Sequence, residues 1–535
     1  RMQQSALCIG GTCCVAATPA QIKLGEGQLT GSFETNTIYY VDDSVIGSEM
    51  EDHFGSNNYL KLDYTYKNFS AGIQADAYLP ALQGYELGEQ PGYKKFYLSS
   101  KYIQWADRNF EVLVGDIFDQ FGNGLVFRSF EDRQLGINTS LEGIRGIYRF
   151  GNYVTVKCLY GRPRRYTDYA DSWARGADVS LSLTDIFGMR QVLLSLEGSY
   201  MNRHEALDKD ATKAEYFAKV GLTTPDLNLY SGRLNLNWKN LSLHGEYAYK
   251  SKDLPTTAAS EAVSGKAILG EVGYYYKTFS VSGTFRVLDN MGTLISLYGS
   301  GTGNSLNYLP ALTRQYTYML ANLNPYQVNV EGEIGGQIDL NYSLRNKRDR
   351  HRYWNFHANV STFYTLRGEQ SQTGDRQLLW RDINVDVERQ WNRKLKTSLL
   401  FSCQEWNPDH GFSSRTYASN IFVGDVTYKF DRKKSLRAEV QYLFSQDYEG
   451  NWVAGLLEFG LAPKWSFFVS DMYNQGGTKG ETNKNYYNGG FSYTHNRTRV
   501  QISYGRNRAG YICSGGVCRY SPAYTGCNIA ITSSF

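Results

Sequence analysis

The sequence predicts an all-β protein, folded as a single large antiparallel transmembrane β-barrel of about 20 to 24 strands with short periplasmic turns and long extracellular loops. Three observations support this prediction. Apolar and polar residues alternate with a period of two along nearly the whole chain, the connections between these segments are either tight or long, and the last residue is aromatic. This combination is typical of strands that face lipid on one side and a polar lumen on the other.

Composition fits this class and argues against others. The 535 residues include 43 Tyr, 53 Gly and 11 Pro, and the mean hydropathy is -0.46 although 15% of the residues are aromatic. No stretch reaches the roughly 18 to 20 apolar residues of a membrane helix, whereas a barrel strand needs only one apolar face. With 56 basic and 52 acidic residues the net charge is only +4, so we expect no nucleic-acid partner.

Residues 1–27 are predicted to form a periplasmic or lumenal segment, and residues 28–535 the barrel. The segment contains Cys8 and Cys13, whose spacing allows a small disulfide. A metal site is the alternative, but the second pair of ligands that zinc sites use is not nearby in sequence. Because no hydrophobic signal segment leads the chain, we expect a mature exported protein in the outer membrane of a Gram-negative bacterium. So short a segment also leaves no room for a TonB box and plug domain.

The alternation is well defined in residues 61–79, where a polar turn at residues 67–68 separates two strands. A soluble sandwich has such strands, but its turns are short at both ends. Here tight turns alternate with long loops, the longest at residues 202–226 and 290–327, which is the asymmetry of an outer-membrane barrel. The predicted tight turns lie at residues 67–68, 107–109, 151–152, 187–188, 239–240, 277–278, 392–394, 431–433, 463–464 and 496–497.

The last strand is predicted near Thr525 to Phe535. Cys527, Ile529 and Ile531 alternate there with polar or small residues, and the chain stops at Phe535. A lipid-patterned strand that ends in Phe resembles the signal that outer-membrane barrels present to their assembly machinery.

Charged residues are concentrated in the segment that follows Gly124. We interpret them as an ion-pair network that closes or narrows the lumen, because buried charges are tolerated only when they are paired. The alternative is a solvated loop with ordinary surface salt bridges. The predicted cluster consists of Arg128, Glu131, Asp132, Arg133, Glu142 and Arg145.

Cys513 and Cys518 flank a Ser-Gly-Gly-Val sequence just before the last strand. Four intervening residues, two of them Gly, favour a small disulfide-closed loop on the oxidising cell exterior. We expect this loop to aim an aromatic and Arg-bearing patch outward, composed of the residue types that dominate interface hot spots. The predicted partner patch is Tyr511, Arg519, Tyr520 and Tyr524.

The sequence predicts no catalytic residue, no metal site and no cofactor. The seven His are dispersed without a Ser or Asp partner at a recognisable spacing, and the Gly-x-Ser-x-Gly element of hydrolases does not occur. We therefore expect that the chain is not an enzyme.

The Tyr-rich composition, the C-terminal Phe535, the segments 115–143 and 508–535 and the Cys-Ser-Gly-Gly-Val-Cys loop resemble an uncharacterised family of outer-membrane barrels from Bacteroidota. The resemblance implies the compartment and the barrel but assigns no chemistry to any residue. It also implies a phylum whose barrels commonly work with surface lipoproteins, as in nutrient uptake and type IX secretion.

Two functional hypotheses follow. The first is a partner-binding component of a multi-protein outer-membrane complex in secretion, protein biogenesis or surface-lipoprotein assembly. Its partners would be outer-membrane lipids and other outer-membrane proteins or surface lipoproteins. The second is a passive, porin-like solute channel, because polar inner faces around 20 or more strands leave room for water.

Overall fold

The computed structural model describes residues 22–535 apart from residues 347, 350, 448, 477–482 and 515–516. Within these residues, 24 antiparallel strands form one closed barrel, in agreement with the predicted fold class and strand number. Each strand pairs with its neighbours in the chain, and the barrel closes where the first strand pairs with the last. Cys8 and Cys13, with most of the predicted N-terminal segment, lie outside the described residues.

The barrel strands are numbered β1 to β24 in chain order. They are β1 (Gly27–Val41), β2 (Phe54–Tyr66), β3 (Phe69–Tyr78), β4 (Phe96–Ala106), β5 (Phe110–Ile117), β6 (Leu141–Phe150), β7 (Val154–Arg165), β8 (Trp173–Ser182), β9 (Val192–His204), β10 (Asp226–Trp238), β11 (Leu241–Asp253), β12 (Val263–Tyr276), β13 (Phe279–Asp289), β14 (Gly332–Arg345), β15 (Tyr353–Thr365), β16 (Leu378–Gln390), β17 (Leu395–Trp406), β18 (Tyr417–Lys429), β19 (Lys434–Ser445), β20 (Trp452–Leu461), β21 (Trp465–Asn474), β22 (Asn485–His495), β23 (Thr498–Asn507) and β24 (Tyr524–Ser534).

Shorter elements lie in the connections. The helices are Glu86–Glu89, Leu183–Ile186 and Ala211–Lys219, with 3-10 turns at Leu320–Asn322 and Gly368–Gln370, and the short strands are Ile22–Leu24, Glu131–Asp132, Ile137–Asn138, Asp168–Tyr169, Gly510–Ser514 and Val517–Ser521. In the described part of the chain, no helix is both long and apolar enough to cross a membrane.

The wall has the opposite polarity to a soluble β-sandwich. In β16, Asp382 and Asn384 are 0% and 1% exposed, whereas Ile383 and Val385 between them are 46% and 47% exposed. Successive side chains of a strand point to opposite faces, so the polar residues face the lumen and the apolar residues face outward. Repeated around the barrel, this pattern gives an apolar outer surface of the kind that faces lipid in outer-membrane barrels.

The two rims differ as predicted, except that the connection predicted as a tight turn at residues 187–188 has nine residues and contains the helix Leu183–Ile186. One rim carries tight turns, including the two-residue turns that begin at Lys67, Lys239 and Lys277, each with a positive φ of 50° to 53°. Such φ values match the twist of antiparallel strands in a tight hairpin. The other rim carries the long connections, of which residues 290–331 are the longest.

The barrel closes near its C-terminus. The backbone N–H of Gly31 donates to the carbonyl oxygen of Phe535 over 2.8 Å, and the N–H of Phe535 donates back over 2.9 Å. The predicted terminal strand therefore extends the ladder to the last residue of the chain.

Three glycines form a row across neighbouring strands. Gly115 of β5 lies opposite Gly143 of β6, which lies opposite Gly161 of β7. A Cβ at Gly143 would overlap the carbonyl oxygen of Tyr160, whereas one at Gly146 of the same strand would meet nothing within 4 Å. The close approach of backbones at this row therefore requires glycine.

We expect Gly143→Ala to lower the barrel's unfolding free energy by about 1–3 kcal/mol, because backbone must shift to accommodate the methyl group. Gly146→Ala is the matched control and should change it little. The temperature at which the folded gel band converts to the unfolded band would report both, and equal shifts in the two variants would contradict the steric explanation.

Candidate functional site

Two of the long connections fold into the lumen. We call residues 118–140 plug loop 1 and residues 290–331 plug loop 2. The sequence predicted the second as an extracellular loop, and the structure corrects this. Three of its apolar residues, Ile295, Leu306 and Leu320, are each 2% exposed or less inside the barrel. Their burial removes apolar surface from water, which favours the inward position.

The plug loops are bonded to each other. The backbone N–H of Arg128 donates to the Leu306 oxygen over 3.0 Å, and that of Tyr308 donates to the Gly124 oxygen over 2.9 Å. Asn307 also donates to the carbonyl oxygen of Leu125 over 3.0 Å. The two loops therefore form one packed unit within the lumen.

Plug loop 1 is anchored by an apolar core. Phe121, Leu125, Val126 and Phe127 are no more than 1% exposed. They pack in one cluster with small and apolar residues of the surrounding wall strands, namely Ile117, Leu141, Leu159, Ala174, Met201, Leu227, Leu229, Ala248, Ala267, Leu269 and Leu288. Burying each large apolar side chain contributes about 1.5–3 kcal/mol relative to leaving it in water.

Plug loop 2 extends across the lumen to strands β17 to β20. Leu320 and Leu323 pack in a cluster with inward residues of these strands, including Ile421 and Trp452. The backbone N–H of Leu320 donates to Gln441 Oε1 over 2.9 Å, and Gln404 Nε2 donates to the Ala321 oxygen over 2.9 Å. The plug therefore contacts opposite parts of the wall.

A buried ion pair fixes plug loop 2 to the wall. Arg286 of β13 and Glu333 of β14 lie 2.6 Å apart, and both side chains are 0% exposed. Arg286 also donates to the carbonyl oxygen of Pro310, and Glu333 accepts from the backbone N–H of Asn329 over 2.9 Å. The Tyr326 hydroxyl also donates to Glu333, so the pair binds plug loop 2 at three points. Removing one partner would leave the other charge buried.

A second polar contact holds the middle of plug loop 2. Arg314 donates to Asn384 over 2.6 Å and forms an ion pair with Asp386 of β16. His357 lies between Asp386 and Asp339, at 2.8 and 2.6 Å. These contacts pair the carboxylates on this part of the inner wall.

Rim loops are tied to the barrel near its closure. Asp43 accepts hydrogen bonds of 2.6 Å from both Arg506 of β23 and Thr525 of β24. Burial acts to raise the pKa of Asp43, but the hydrogen bonds from Arg506 and Thr525 outweigh it and hold the pKa below its ordinary value. The carboxylate therefore stays charged and paired.

The structure divides the predicted ion-pair cluster into separate networks. Arg133 pairs with Glu34 at 2.7 Å and with Glu131 at 3.6 Å. Elsewhere, Glu142 pairs with Lys101 at 2.6 Å. The division arises because plug loop 1 and β6 lead these side chains toward different parts of the wall.

The other three residues of the predicted cluster, Arg145, Asp132 and Arg128, make separate contacts and do not pair with one another. Arg145 pairs with Glu111 and, at 3.0 Å, with Asp119. Asp132 accepts from the backbone N–H of Leu135 over 3.0 Å. The Arg128 guanidinium stacks on aromatic rings, with its carbon 4.4 Å from the Phe130 ring centre and 3.8 Å from that of Tyr308.

Sequence reasoning missed other buried charges in the lumen. Arg233, 2% exposed, contacts Glu197 at 2.9 Å and also pairs with Asp178. Arg203 pairs with Asp253 at 3.0 Å and donates to the Leu294 oxygen of plug loop 2 over 3.2 Å. Their signal was present as charges at inward positions of otherwise alternating strands.

The cysteine loop forms the expected disulfide between Cys513 and Cys518. Its two short strands, Gly510–Ser514 and Val517–Ser521, make a separate hairpin at the long-loop rim. Tyr511 and Tyr520 are 45% and 54% exposed on this hairpin, as the outward patch requires.

Arg519 and Tyr524 depart from the predicted outward orientation. Arg519 is 6% exposed and donates to the Gln134 oxygen of plug loop 1 over 2.9 Å, with its guanidinium carbon 4.1 Å from the ring centre of Tyr85. Tyr524 packs edge-on against Tyr40, with 5.5 Å between ring centres. Arg519 is held inward by plug loop 1 and Tyr85, and Tyr524 by the apolar cluster that contains Tyr40 and Tyr85.

The described residues contain no group of three or more His, Cys, Asp and Glu side chains arranged to hold a metal ion. Cys158, Cys403 and Cys527 are free thiols on the outer face of their strands. The buried polar groups of the lumen are instead bonded largely to one another and to the plug.

These features define a large outer-membrane-type β-barrel whose lumen is occupied by its own loops. By sequence, the chain belongs to the family described as Family of unknown function (DUF6029), which it matches over residues 2–535. The family of unknown function and the barrel fold confirm the predicted resemblance in part, while the Bacteroidota origin and the Cys-Ser-Gly-Gly-Val-Cys loop as a family feature stay predictions. No curated protein sequence matches the chain.

Several solved barrels are similar in fold. The P pilus usher PapC translocation pore shares 10% identity at a TM-score of 0.47, with 95% of this chain and 99% of that chain covered. The siderophore receptor PirA from Pseudomonas aeruginosa shares 9% at 0.42, with 95% and 80% covered. The copper transporter OprC shares 10% at 0.43, with 96% and 81% covered. These scores are too low to carry a functional argument.

We expect Arg286→Ala to destabilise the barrel by about 3–5 kcal/mol and to expose plug loop 2 to protease, because Glu333 would remain buried without its partner. Arg415→Ala, which removes an exposed pair with Asp409, is the control and should cost less than about 1 kcal/mol. Denaturant unfolding and mapping of cleavage sites would test this, and an intact plug in Arg286→Ala would contradict the assigned role.

Proposed function

We propose that this chain is a non-enzymatic β-barrel of the outer membrane of a Gram-negative bacterium that acts as a partner-binding component of a multi-protein complex. The single observation that carries the proposal is the occupied lumen. Both plug loops are fixed there by apolar burial and paired charges. A barrel filled in this way presents an ordered surface at its rim instead of an open pore.

Orientation follows from the loop lengths. Short turns in the periplasm and long loops at the cell surface are the arrangement of outer-membrane barrels. The long-loop rim would then meet other outer-membrane proteins or surface lipoproteins, in secretion, protein biogenesis or surface-lipoprotein assembly.

The disulfide hairpin is the partner surface that we propose. Tyr511 and Tyr520 lie opposite each other in the hairpin, and their ring centres are 5.7 Å apart. Arg519 supports the hairpin from below through its contacts with plug loop 1 and Tyr85. Exposed, rigid aromatic residues above a fixed base are typical of binding hot spots.

A passive solute channel is the second candidate. The inner wall near the short turns carries partly exposed polar side chains, such as Asn341, Ser343 and Asn355. This part of the lumen is therefore accessible to water, and displacement of plug loop 2 would be needed to extend it through the barrel.

We expect the natively extracted barrel to copurify with partner proteins, and Tyr511→Ala with Tyr520→Ala to reduce their recovery severalfold because the exposed aromatic contacts are lost. Replacing both Cys513 and Cys518 with Ser should weaken retention while leaving the folded gel band, since so short a disulfide loop contributes little to global stability. Phe412→Ala, at an exposed aromatic of another long loop, is the control.

Two outcomes of the copurification experiment would contradict the proposal. A lone wild-type barrel after gentle extraction and sizing would count against a complex. Unchanged partner recovery from the tyrosine and cysteine variants would show that the hairpin is not the binding surface.

We expect the purified barrel to be silent in planar bilayers and the double variant Leu320→Asp with Leu323→Asp to conduct. Two carboxylates cannot be buried in the apolar contact that holds this part of plug loop 2. Thr317→Asp with Asn322→Asp is the matched control, because both residues are exposed in the same segment. Steady conductance of the wild type would instead favour the solute channel.

A further inference from the structure

The two rims of the barrel carry opposite charge. The described residues of the short turns include 13 Lys and Arg against four Asp, whereas those of the long loops other than the two plug loops include 11 basic against 19 acidic residues. The overall net charge of +4 conceals this separation. The basic residues belong to turns distributed around the barrel, from Lys67 between β2 and β3 to Lys464 between β20 and β21. We call this feature the basic ring.

The protein itself neutralises little of this charge. Within the described residues, Arg352 pairs with Asp349 at 3.4 Å, whereas Lys67, Lys239 and Lys277 have no carboxylate within 4 Å. Three of the four acidic residues of the turns, Asp107, Asp349 and Asp431, accept hydrogen bonds from backbone N–H groups of their own turns. Asp431, for example, accepts from the N–H groups of Lys433 and Lys434 at 2.6 and 3.0 Å. The basic ring therefore offers exposed cations to an external anionic partner.

The basic ring lies directly beside aromatic residues of the barrel wall. The ammonium groups of Lys67, Lys239 and Lys277 lie 4.9, 5.1 and 5.0 Å from the ring centres of the residue that precedes each of them. Of these rings, Trp238 and Tyr276 are 46% and 48% exposed. Aromatic residues of membrane barrels lie at the level of the lipid headgroups. A two-residue turn cannot carry its lysine far beyond that level.

We propose that the basic ring binds the phosphate groups of anionic phospholipids in the leaflet that surrounds the short turns. This inference rests on the proposed placement of the barrel in the outer membrane with its short turns toward the periplasm. The position at headgroup level and the distribution around the perimeter favour lipid over a soluble acidic protein, which would contact one sector of the rim. The acidic long-loop rim would repel anionic headgroups. Anionic lipids in one leaflet would therefore favour the orientation that places the short turns in that leaflet.

The test uses the purified full-length barrel in vesicles of phosphatidylcholine and phosphatidylglycerol at three to one. Spin-labelled forms of each lipid report its relative association with the barrel surface. We expect phosphatidylglycerol to be preferred at low salt and the preference to fall at high salt, because screening weakens interactions between exposed charges. Neutralising Lys67, Lys239 and Lys277 to Asn should reduce the preference at least about twofold. Asn retains the positive φ of these turns.

The control replaces three exposed basic residues of the long-loop rim with Gln, namely Lys95, Lys219 and Arg376. It should retain the wild-type lipid preference, and both variants should keep the folded gel band. Equal association of the two lipids with the wild type, or the same loss in the control, would overturn the proposal. So would binding of soluble polyglutamate to the basic ring without a lipid preference, which would indicate an acidic macromolecular partner.

Failure of the proposed function would be distinguishable from failure of this inference. The lipid measurement needs no partner protein, so a barrel without copurifying partners would still show the preference. Orientation is tested separately in intact cells with a cysteine in place of Lys239 and a membrane-impermeant maleimide. Labelling there would contradict a periplasmic short-turn rim, whereas the vesicle result would report the lipid preference alone.

Discussion

The closed hydrogen-bond ladder is the constraint on which the rest of this structure depends. Lipid offers no partner for a backbone N–H or C=O group, so a sheet in the membrane must pair every strand on both sides. Here the requirement is met when β1 pairs with β24 and when Phe535 exchanges backbone bonds with Gly31. Closure divides the side chains into an apolar outer set and a polar inner set, and thereby creates a lumen that must be filled with water or with protein.

In this barrel the two plug loops fill much of the lumen. Apolar residues of the two plug loops cover small and apolar residues on the inner wall, while Arg286, Glu333 and Arg314 pair charges that would otherwise be costly to bury. The inner wall and the plug therefore match each other in apolar contacts and in charge. This complementarity links the interior to the surface, because Arg519 connects plug loop 1 to the disulfide hairpin at the rim. A displacement of plug loop 1 would therefore break a contact that holds the disulfide hairpin in place.

Much of this architecture could be predicted from the sequence. Period-two alternation identified the strands, polar dipeptides such as Lys67-Asn68 and Lys239-Asn240 identified the tight turns, and the spacing of Cys513 and Cys518 indicated their disulfide. Each of these signals is local, because a strand face, a tight turn and a small disulfide loop are set by residues close together in the chain.

The tertiary structure alone decided where the long connections go. The sequence of plug loop 2 predicts an exposed loop. In the structure, however, the backbone N–H of Leu320 donates to Gln441 of a wall strand far along the chain. Arg519 likewise faces inward because Tyr85 and Gln134 lie beneath it. The predicted charge cluster separates because Arg133 pairs with Glu34 of β1, whereas Glu142 pairs with Lys101 of β4. The sequence by itself determined the wall, whose pattern repeats locally. The interior was decided only when closure brought distant strands around a common lumen, because burial and charge pairing there depend on contacts that no local pattern specifies.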